Sequence, residues 1–412
     1  MRLKDVAYIN RRVLPESTDP DYQFRYIDIS AVSSLGLIRI PNQVTRFEDA
    51  PSRARRIALT GNTVVSTVRT YLRAIAQVPL ADEDLIFSTG FAVLEAKPVI
   101  DERFLSYVCC SQPFIDSVVA RSVGVSYPAI SPSDLSGVEV PDRSLDQQRR
   151  IADFLDAETS RIDRLSTIQH TVKRLLLERR AAHVFRLVTG QAAKQMKPSD
   201  LAWVATIPDS WQSVKLGHVA RLGSGHTPSR LHPEWWVDCT IPWITTGEVS
   251  QIRDDRLEIL EETREMISEA GLANSAAELH PKDTVVLCRT AASAGYSAVM
   301  GMEMATSQDI ATWTCEPLLD PFYLLWCLRA MRSDLLERLA MGSTHKTIYM
   351  PDLQALRIPL PPIDKQHEIV AAIRASNSTV DTATDAIDRQ LKVLAERRQA
   401  LITAAVTGEI TV

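Results

Sequence analysis

Glu178-Arg179-Arg180 followed by Val188-Thr189-Gly190, and Glu396-Arg397-Arg398 followed by Val406-Thr407-Gly408, are one passage written twice, 218 residues apart. Moving outward, the same interval carries Leu176 onto Leu394, Ile151 onto Ile369, Gln148 onto Gln366 and Asp146 onto Asp364. It carries Pro141 onto Pro359, Asp134-Leu135 onto Asp352-Leu353, Gly124 onto Gly342 and Phe104 onto Phe322, with no gap. Solenoid units run about 20–50 residues, so a period this long is a duplicated domain. Two copies of one module in one chain can bind two similar things at a fixed separation.

The repeated passages end two long helical patterns. From Leu145 to about Leu187, apolar residues Ile151, Leu155, Ile162, Leu165, Ile168, Val172, Leu175 and Leu176 step by three and four, with Glu158 and Gln169 interrupting. Pro141 precedes this helix, Asp146 serves as N-cap or first-turn acid, and Gly190 ends it. At 1.5 Å per residue such a helix reaches about 60 Å, more than a domain of this size needs for its own core, so it reads as a spacer. The pattern returns over Asp364–Val406 with Ile369, Ile373, Val380, Ala383, Ile387, Leu391 and Leu394. The simplest packing is an antiparallel coiled coil with pseudo-two-fold symmetry, whose seam sets Leu155, Ile162, Leu165, Val172 and Leu176 against Ile373, Val380, Ile387, Leu391 and Leu394. The blander alternative is that each helix only covers its own domain.

Residues 1–142 read as a first mixed α/β module, 143–192 as the central helix, 193–361 as a second module and 362–412 as the C-terminal helix. The predicted fold class is α+β. Asn62–Val68 and Thr284–Cys288 are strand-like, and Phe104–Val119 reads as one short amphipathic helix that recurs over Phe322–Leu339. All seven tryptophans lie in the second half, so the modules have diverged more than the helices.

The 412 residues suffice for two or three domains with cores of their own. No run of about 18 apolar residues exists to span a membrane, and Met1–Asp5 lacks the apolar stretch of a secretory signal. The six cysteines show no Cys-x-x-Cys spacing, which points away from zinc and from a disulfide framework, and toward buried free thiols in a reducing cytoplasm. The net charge of −5 does not announce a nucleic-acid binder, although a local basic groove matters more than the sum.

Several segments resemble the specificity subunits of type I restriction–modification systems. The second module opens with Trp203, Ile207-Pro208-Asp209-Ser210-Trp211 and Val214-Lys215-Leu216-Gly217. It continues into Gly223-Ser224-Gly225-His226-Thr227-Pro228-Ser229 and Ile241-Pro242-Trp243-Ile244-Thr245-Thr246-Gly247. This is similar to the start of that family's target-recognition domains, with His226 in place of a second glycine. Ile358–Gln366 and Glu396–Ile410 resemble its helical signature, with weaker copies at Val140–Gln148 and Glu178–Gln191. The first module lacks the Ile-Pro-x-x-Trp leader and starts at Arg2-Leu3-Lys4-Asp5-Val6; either the leader is dispensable there or the true start lies upstream.

The resemblance implies two tandem target-recognition domains separated by long helices, in a subunit with no catalysis of its own. Each module would read half of a bipartite, asymmetric sequence in double-stranded DNA, and the helices would set the unread spacer. The implied partners are two methylation subunits, which use S-adenosylmethionine, and for cleavage two motor–nuclease subunits, which use ATP and Mg²⁺. No cofactor or metal is expected in this chain.

The residues agree on what is missing. No glycine-rich S-adenosylmethionine loop, Asn-Pro-Pro-Tyr-type motif or Gly-x-x-x-x-Gly-Lys-Ser/Thr loop occurs. Asp84 with Glu95-Ala96-Lys97 has the spacing of a Mg²⁺ nuclease site, but the pattern is short and degenerate. For DNA contact, the loop with Gly225, Thr227, Ser229 and Arg230 offers backbone N–H groups and a cation to phosphate, or is simply a polar turn. Arg289-Thr290 follows a strand as Arg69-Thr70 does, where arginine can reach guanine or pair with a surface carboxylate; Ser307-Gln308 suits adenine or phosphate. The loops Gly124-Val125-Ser126-Tyr127 and Gly342-Ser343-Thr344-His345-Lys346-Thr347 share one repeat position, which favours DNA contact, with Ser126, Tyr127, His345 and Lys346 as candidates, over solvated turns; Arg53, Arg55, Arg56 and Arg73 form a basic cluster whose plain reading is a solvated face. Two other functions compete: a protein–protein scaffold built on the helix pair, and a nuclease using Asp84, Glu95 and Lys97.

Overall fold

The computed structural model describes residues 1–81, 84–340 and 347–412. The chain forms two units, Met1–His170 with Ile387–Val412, and Thr171–Ala386. Each unit holds one α/β module, part of the long helix Leu145–Val188 and part of the long helix Ile363–Thr407.

In the first unit an antiparallel sheet runs in the order Ala7–Ile9, Phe91–Ala96, Thr63–Ser66, Ile75–Gln77. A second sheet runs Thr45–Arg46, Gln23–Ile27, Leu85–Ser88, Ala54–Ile57, with the middle two strands parallel. The second unit repeats the first plan with Ala220–Ser224, Ile310–Cys315, Val285–Cys288 and Ser297–Met300, adding Ile259–Leu260 at the edge. Its other sheet again has a parallel pair, Ile241–Ile244 beside Met304–Thr306. The strands Val64-Val65 and Val285-Val286-Leu287 are fully buried because helices cover one face of their sheets and the second sheets the other.

The expected single helix over Phe104–Val119 is two, Glu102–Cys110 and Gln112–Ala120. Pro113 cannot donate within a helix, so it sits in the first turn of the second segment, and Ser111 takes the extended conformation between them. The counterpart is likewise broken, into Pro321–Ala330, Arg332–Asp334 and Leu335–Leu339.

One repeated device joins each module to its long helix. Gln148 is fully buried; its amide oxygen accepts from Asp101 N (2.8 Å) and its nitrogen donates to Arg143 O (2.8 Å) and Val99 O (3.3 Å). Gln366 does the same with Asp320 N (2.8 Å), Leu318 O and Pro361 O (both 2.9 Å). Asp101 and Asp320 are themselves the N-caps of Glu102–Cys110 and Pro321–Ala330. In the second unit a turn adds a further lock. Asp255 takes φ +57° and receives a two-pronged ion pair from Arg332 (2.6 and 2.8 Å), while Arg180 and Arg329 donate to its carbonyl. Burial pushes the Arg329 guanidinium down to about 10, against the pull of Asp255. Next to it Arg256 pairs with Asp381 and Asp385 on the C-terminal helix.

Within each unit the two helices run antiparallel. In the first, Arg143 reaches Thr407 O (2.8 Å) and Arg398 pairs with Asp163 (3.1 Å). In the second, Val184 and Val188 share a core with Ile369 and Ile373, and Arg180 pairs with Asp381 (2.9 Å). The two ion pairs are one pair repeated at the 218-residue interval.

The inward-facing line of the central helix is Gln148, Ala152, Leu155, Thr159, Ile162, Ser166, Gln169, Lys173, Leu176 and Arg180, strictly heptad-spaced and mostly polar in its middle. Leu155, Ile162, Ile373 and Ile387 are buried, and Leu176, Val380, Leu391 and Leu394 are half-buried. Leu165 (45% exposed) and Val172 (40% exposed) are not in the seam, which corrects the apolar reading. Ser166, Gln169 and Lys173 occupy the inward phase there, and Ser166 satisfies its hydroxyl on Ile162 O. Ile373→Ala should therefore cost about 2–5 kcal/mol, whereas Leu165→Ala should stay within about 0.5 kcal/mol; urea unfolding of the two variants compares them. Gln366→Leu, close in volume but unable to bond, should destabilise by about 2–5 kcal/mol by stranding a buried N–H and two carbonyls, read as a lowered urea midpoint.

Candidate nucleic-acid interface

The strand that ends at Cys288 continues into Arg289, whose N–H bonds Asp309 O while its carbonyl accepts from Ile348 N. Thr290 then bridges Thr347. The first unit builds the same frame: Thr67 N bonds Gly90 O, Ile130 N bonds Thr67 O, and Val68 bridges Ala129. Three segments thus meet in each module: the end of a core strand, the turn between two sheets, and the stretch leading toward the long helix. This frame corrects the pairing of Arg69-Thr70 with Arg289-Thr290. The backbone bonds align Thr67 with Arg289 and Val68 with Thr290, and Arg69 comes one position later.

Arg69 and Arg73 flank the one-turn helix Thr70–Leu72, both at positive φ (+52° and +55°). Holding a β-carbon residue there costs about 1–2 kcal/mol each, which the surrounding bonds sustain. Arg69 N donates to Pro128 O (2.7 Å), and its guanidinium lies 4.4 Å over the exposed Tyr127 ring. Ser126 is exposed beside it, and Val125 is fully exposed. Thr70 is buried with its hydroxyl on Ser122 (2.9 Å), so it holds the loop and does not face outward. Arg55 stands apart on the strand Ala54–Ile57 of the other sheet, its guanidinium over Phe47, while Arg73 lines a cavity of about 590 Å³ with Leu35, Gln112 and Thr403. The basic cluster is therefore dispersed.

In the second unit the structure gathers most of the candidates. A Cβ at Gly225 would lie 1.7 Å from Thr306 O, so glycine is required where this loop crosses the strand. His226, where a second glycine was expected, keeps an ordinary φ and bonds Thr306 O through its N–H. Thr227 Oγ1 donates to Gln308 Oε1 (2.7 Å). Ser307 is buried, its hydroxyl without a hydrogen-bond partner among the described residues. Arg289 spends its terminal nitrogens on Ile348 O (3.0 Å) and Gln308 O (2.5 Å). Both terminal nitrogens thus tie the three segments together, a bracing that competes with the expected reach to guanine. Ser229 caps the next loop, where Arg230 stacks on Trp236 (3.9 Å) and pairs with exposed Glu265 (3.2 Å). His345 and Lys346 lie outside the described residues.

Sequence reasoning missed the aromatic clamp behind Arg230. His232 stacks on Trp235 (4.1 Å) and Trp236 meets Trp243 edge-on (5.9 Å), leaving Leu231 89% exposed at the tip. The Trp235-Trp236 pair was the available signal. The Mg²⁺ site does not form: Glu95 is paired with Arg11 and Arg12, Lys97 donates to Lys4 O, and Asp84 receives the Tyr22 hydroxyl. Among the described residues, no group of His, Cys, Asp or Glu could hold a metal, and no helix is long and apolar enough to cross a membrane.

A family model for the type I restriction modification DNA specificity domain matches residues 1–174 and 208–393. The chain belongs to that family. The EcoBI specificity subunit of Escherichia coli is 21% identical over 308 residues, covering 72% of this chain and 64% of that subunit. The MjaIX specificity subunit of Methanocaldococcus jannaschii is 25% identical over 171 residues, covering 41% of this chain and 38% of that subunit. The matches thus span less than two thirds of either relative's length. A solved chain from work on complex assembly of the type I R-M system shares the fold with TM-score 0.73 and 23% identity, covering 100% of this chain and 97% of that chain. The HsdS subunit from Thermoanaerobacter tengcongensis shares it with TM-score 0.51 and 24% identity, covering 100% and 96%.

Behind the interface of this type I specificity chain, His280 is buried against Gly223, and burial pushes its imidazole below the ordinary value. The folded state therefore favours the neutral ring. The stability this contributes is complete above about pH 6.5 and is lost as the pH falls from there through the lower folded value. His280→Gln should flatten that acid limb, measured as urea midpoints between about pH 7 and pH 5.

Proposed function

We propose that this chain is the DNA-reading specificity subunit of a type I restriction–modification complex and catalyses nothing itself. Each module reads one half of a bipartite, asymmetric duplex sequence, and the helix pair sets the unread spacer between the halves. The observation that carries this reading is the frame shared by the two modules. Identical backbone bonds hold a strand end, a turn and a loop in each, and present different side chains: Arg69, Ser126 and Tyr127 in one, Thr227, Gln308 and Arg230 in the other. A constant backbone with changed polar contacts suits two readers of two different sequences.

The helices support a second role, docking of two methylation subunits and, where cleavage occurs, two motor–nuclease subunits. Leu165 and Ile168 in one unit and Val172 and Leu175 in the other are 40–51% exposed, on a phase the seam does not use. The same exposed residues are what a pure protein scaffold would display. Salt-sensitive binding to duplex DNA separates the two readings, because phosphate contacts make affinity fall steeply with salt.

The deciding experiment co-expresses the chain with a methylation subunit and maps modified adenines across a genome by single-molecule sequencing. A bipartite motif that vanishes when this chain is omitted is the expected result; methylation indifferent to the chain would falsify the proposal. Removing one heptad from each long helix should change the spacer length and leave both half-sites intact.

A further inference from the structure

We propose that Gln308 is a base-reading side chain of the second module that acts as a hydrogen-bond donor, selecting a keto base, guanine or thymine, at one position of its half-site. The inference rests on the DNA-reading function above and assigns one contact within it.

Gln308 sits in the turn between Met304–Thr306 and Ile310–Cys315, where two sheets of the unit meet. The backbone beneath it is held from every side. Arg289 donates to Gln308 O, Ser307 N to Ile244 O (2.9 Å), Ile310 N to Ser307 O (3.1 Å), and His226 N to Thr306 O (3.0 Å). The neighbouring Ser307 is 97% buried, yet Gln308 is exposed. An exposed polar side chain on so fixed a base loses little freedom when it binds.

Its amide is polarised by one neighbour. A free glutamine reads adenine with both ends, the oxygen taking N6–H and the nitrogen giving to N7. Here Thr227 Oγ1 donates to Oε1 at 2.7 Å, which takes up one of that oxygen's two lone pairs and fixes the plane of the amide. The nitrogen has no partner among the described residues and carries the outward-facing chemistry. A lone –NH₂ matches O6 and N7 of guanine or O4 of thymine. Facing cytosine N4 it sets donor against donor, and at adenine it meets a second donor at N6 with N7 alone left to accept, where guanine offers both O6 and N7. Arg289, which sequence alone makes the better guanine reader, is the strap that keeps Gln308 in place.

The test is adenine-methylation mapping with the full chain and its methylation partner, run on wild type, Gln308→Glu, Gln308→Ala and Thr227→Val. Gln308→Glu exchanges a donor for an acceptor of equal length and should turn one position of one half-site from guanine or thymine toward cytosine or adenine. Gln308→Ala should relax that position from about 10-fold preference to about 2-fold, the worth of roughly one hydrogen bond. Thr227→Val frees Oε1 and should admit adenine there. All other positions, and the other half-site, should keep their bases. Should Gln308→Glu abolish methylation, Gln308→Ala decides alone. An unchanged motif in Gln308→Ala, at full or uniformly reduced methylation, overturns the proposal, since uniform loss is the signature of a phosphate contact. A wild-type chain that yields no chain-dependent motif instead sinks the DNA-reading function itself, before Gln308 is at issue.

Discussion

A glutamine with no exposure to water is tolerated only if every polar atom of its amide is matched, and Gln148 and Gln366 meet that demand in the same way. Each amide joins three pieces of chain: the start of a long helix, the segment ahead of it, and the N-cap of the module's own helix. Moving the long helix by one residue would strand a buried N–H and at least one carbonyl, at a cost of several kcal/mol, about half the stability of an ordinary domain. The direction in which each long helix leaves its module is therefore set by hydrogen-bond satisfaction, and the location of every other contact on that helix follows.

The seam between the helices obeys a related logic. Its inward line carries Thr159, Ser166, Gln169, Lys173 and Arg180 where a strongly bound coiled coil would carry leucine. Taking Arg180 and Asp381 out of water recovers little net free energy. What such a pair does supply is register, because Asp163 with Arg398 and Arg180 with Asp381 meet only in one antiparallel alignment. The seam is half-buried in its middle, and Leu165 and Leu175 on its outer faces leave apolar surface exposed.

The candidate nucleic-acid faces follow from the opposite arrangement. Backbone groups hold Thr67 and Arg289 in matching places, so the frame does not depend on side chains and the residues upon it can change freely. That freedom explains how two modules of one fold carry an arginine–tyrosine stack in one case and a threonine–glutamine pair in the other. Arg289 braces segments that main-chain bonds already align.

The duplication, the two long helices and the family were legible in the chain, because each is recorded as a periodicity or a motif: the 218-residue interval, the three–four stepping of apolar residues, the Ile-Pro-x-x-Trp and Gly-x-Thr-Pro segments. Helix phase was not, since apolar stepping assumes that what is apolar faces inward. Only the structure showed Leu165 and Val172 outward and Ser166 and Lys173 inward. The contacts of Arg289, Thr70 and Gln308 were equally hidden. Whether an arginine reads a base or braces a loop depends on which carbonyls stand within 3 Å of it. Those carbonyls come from Gln308 and Ile348, brought there by the sheets and not by the neighbouring sequence.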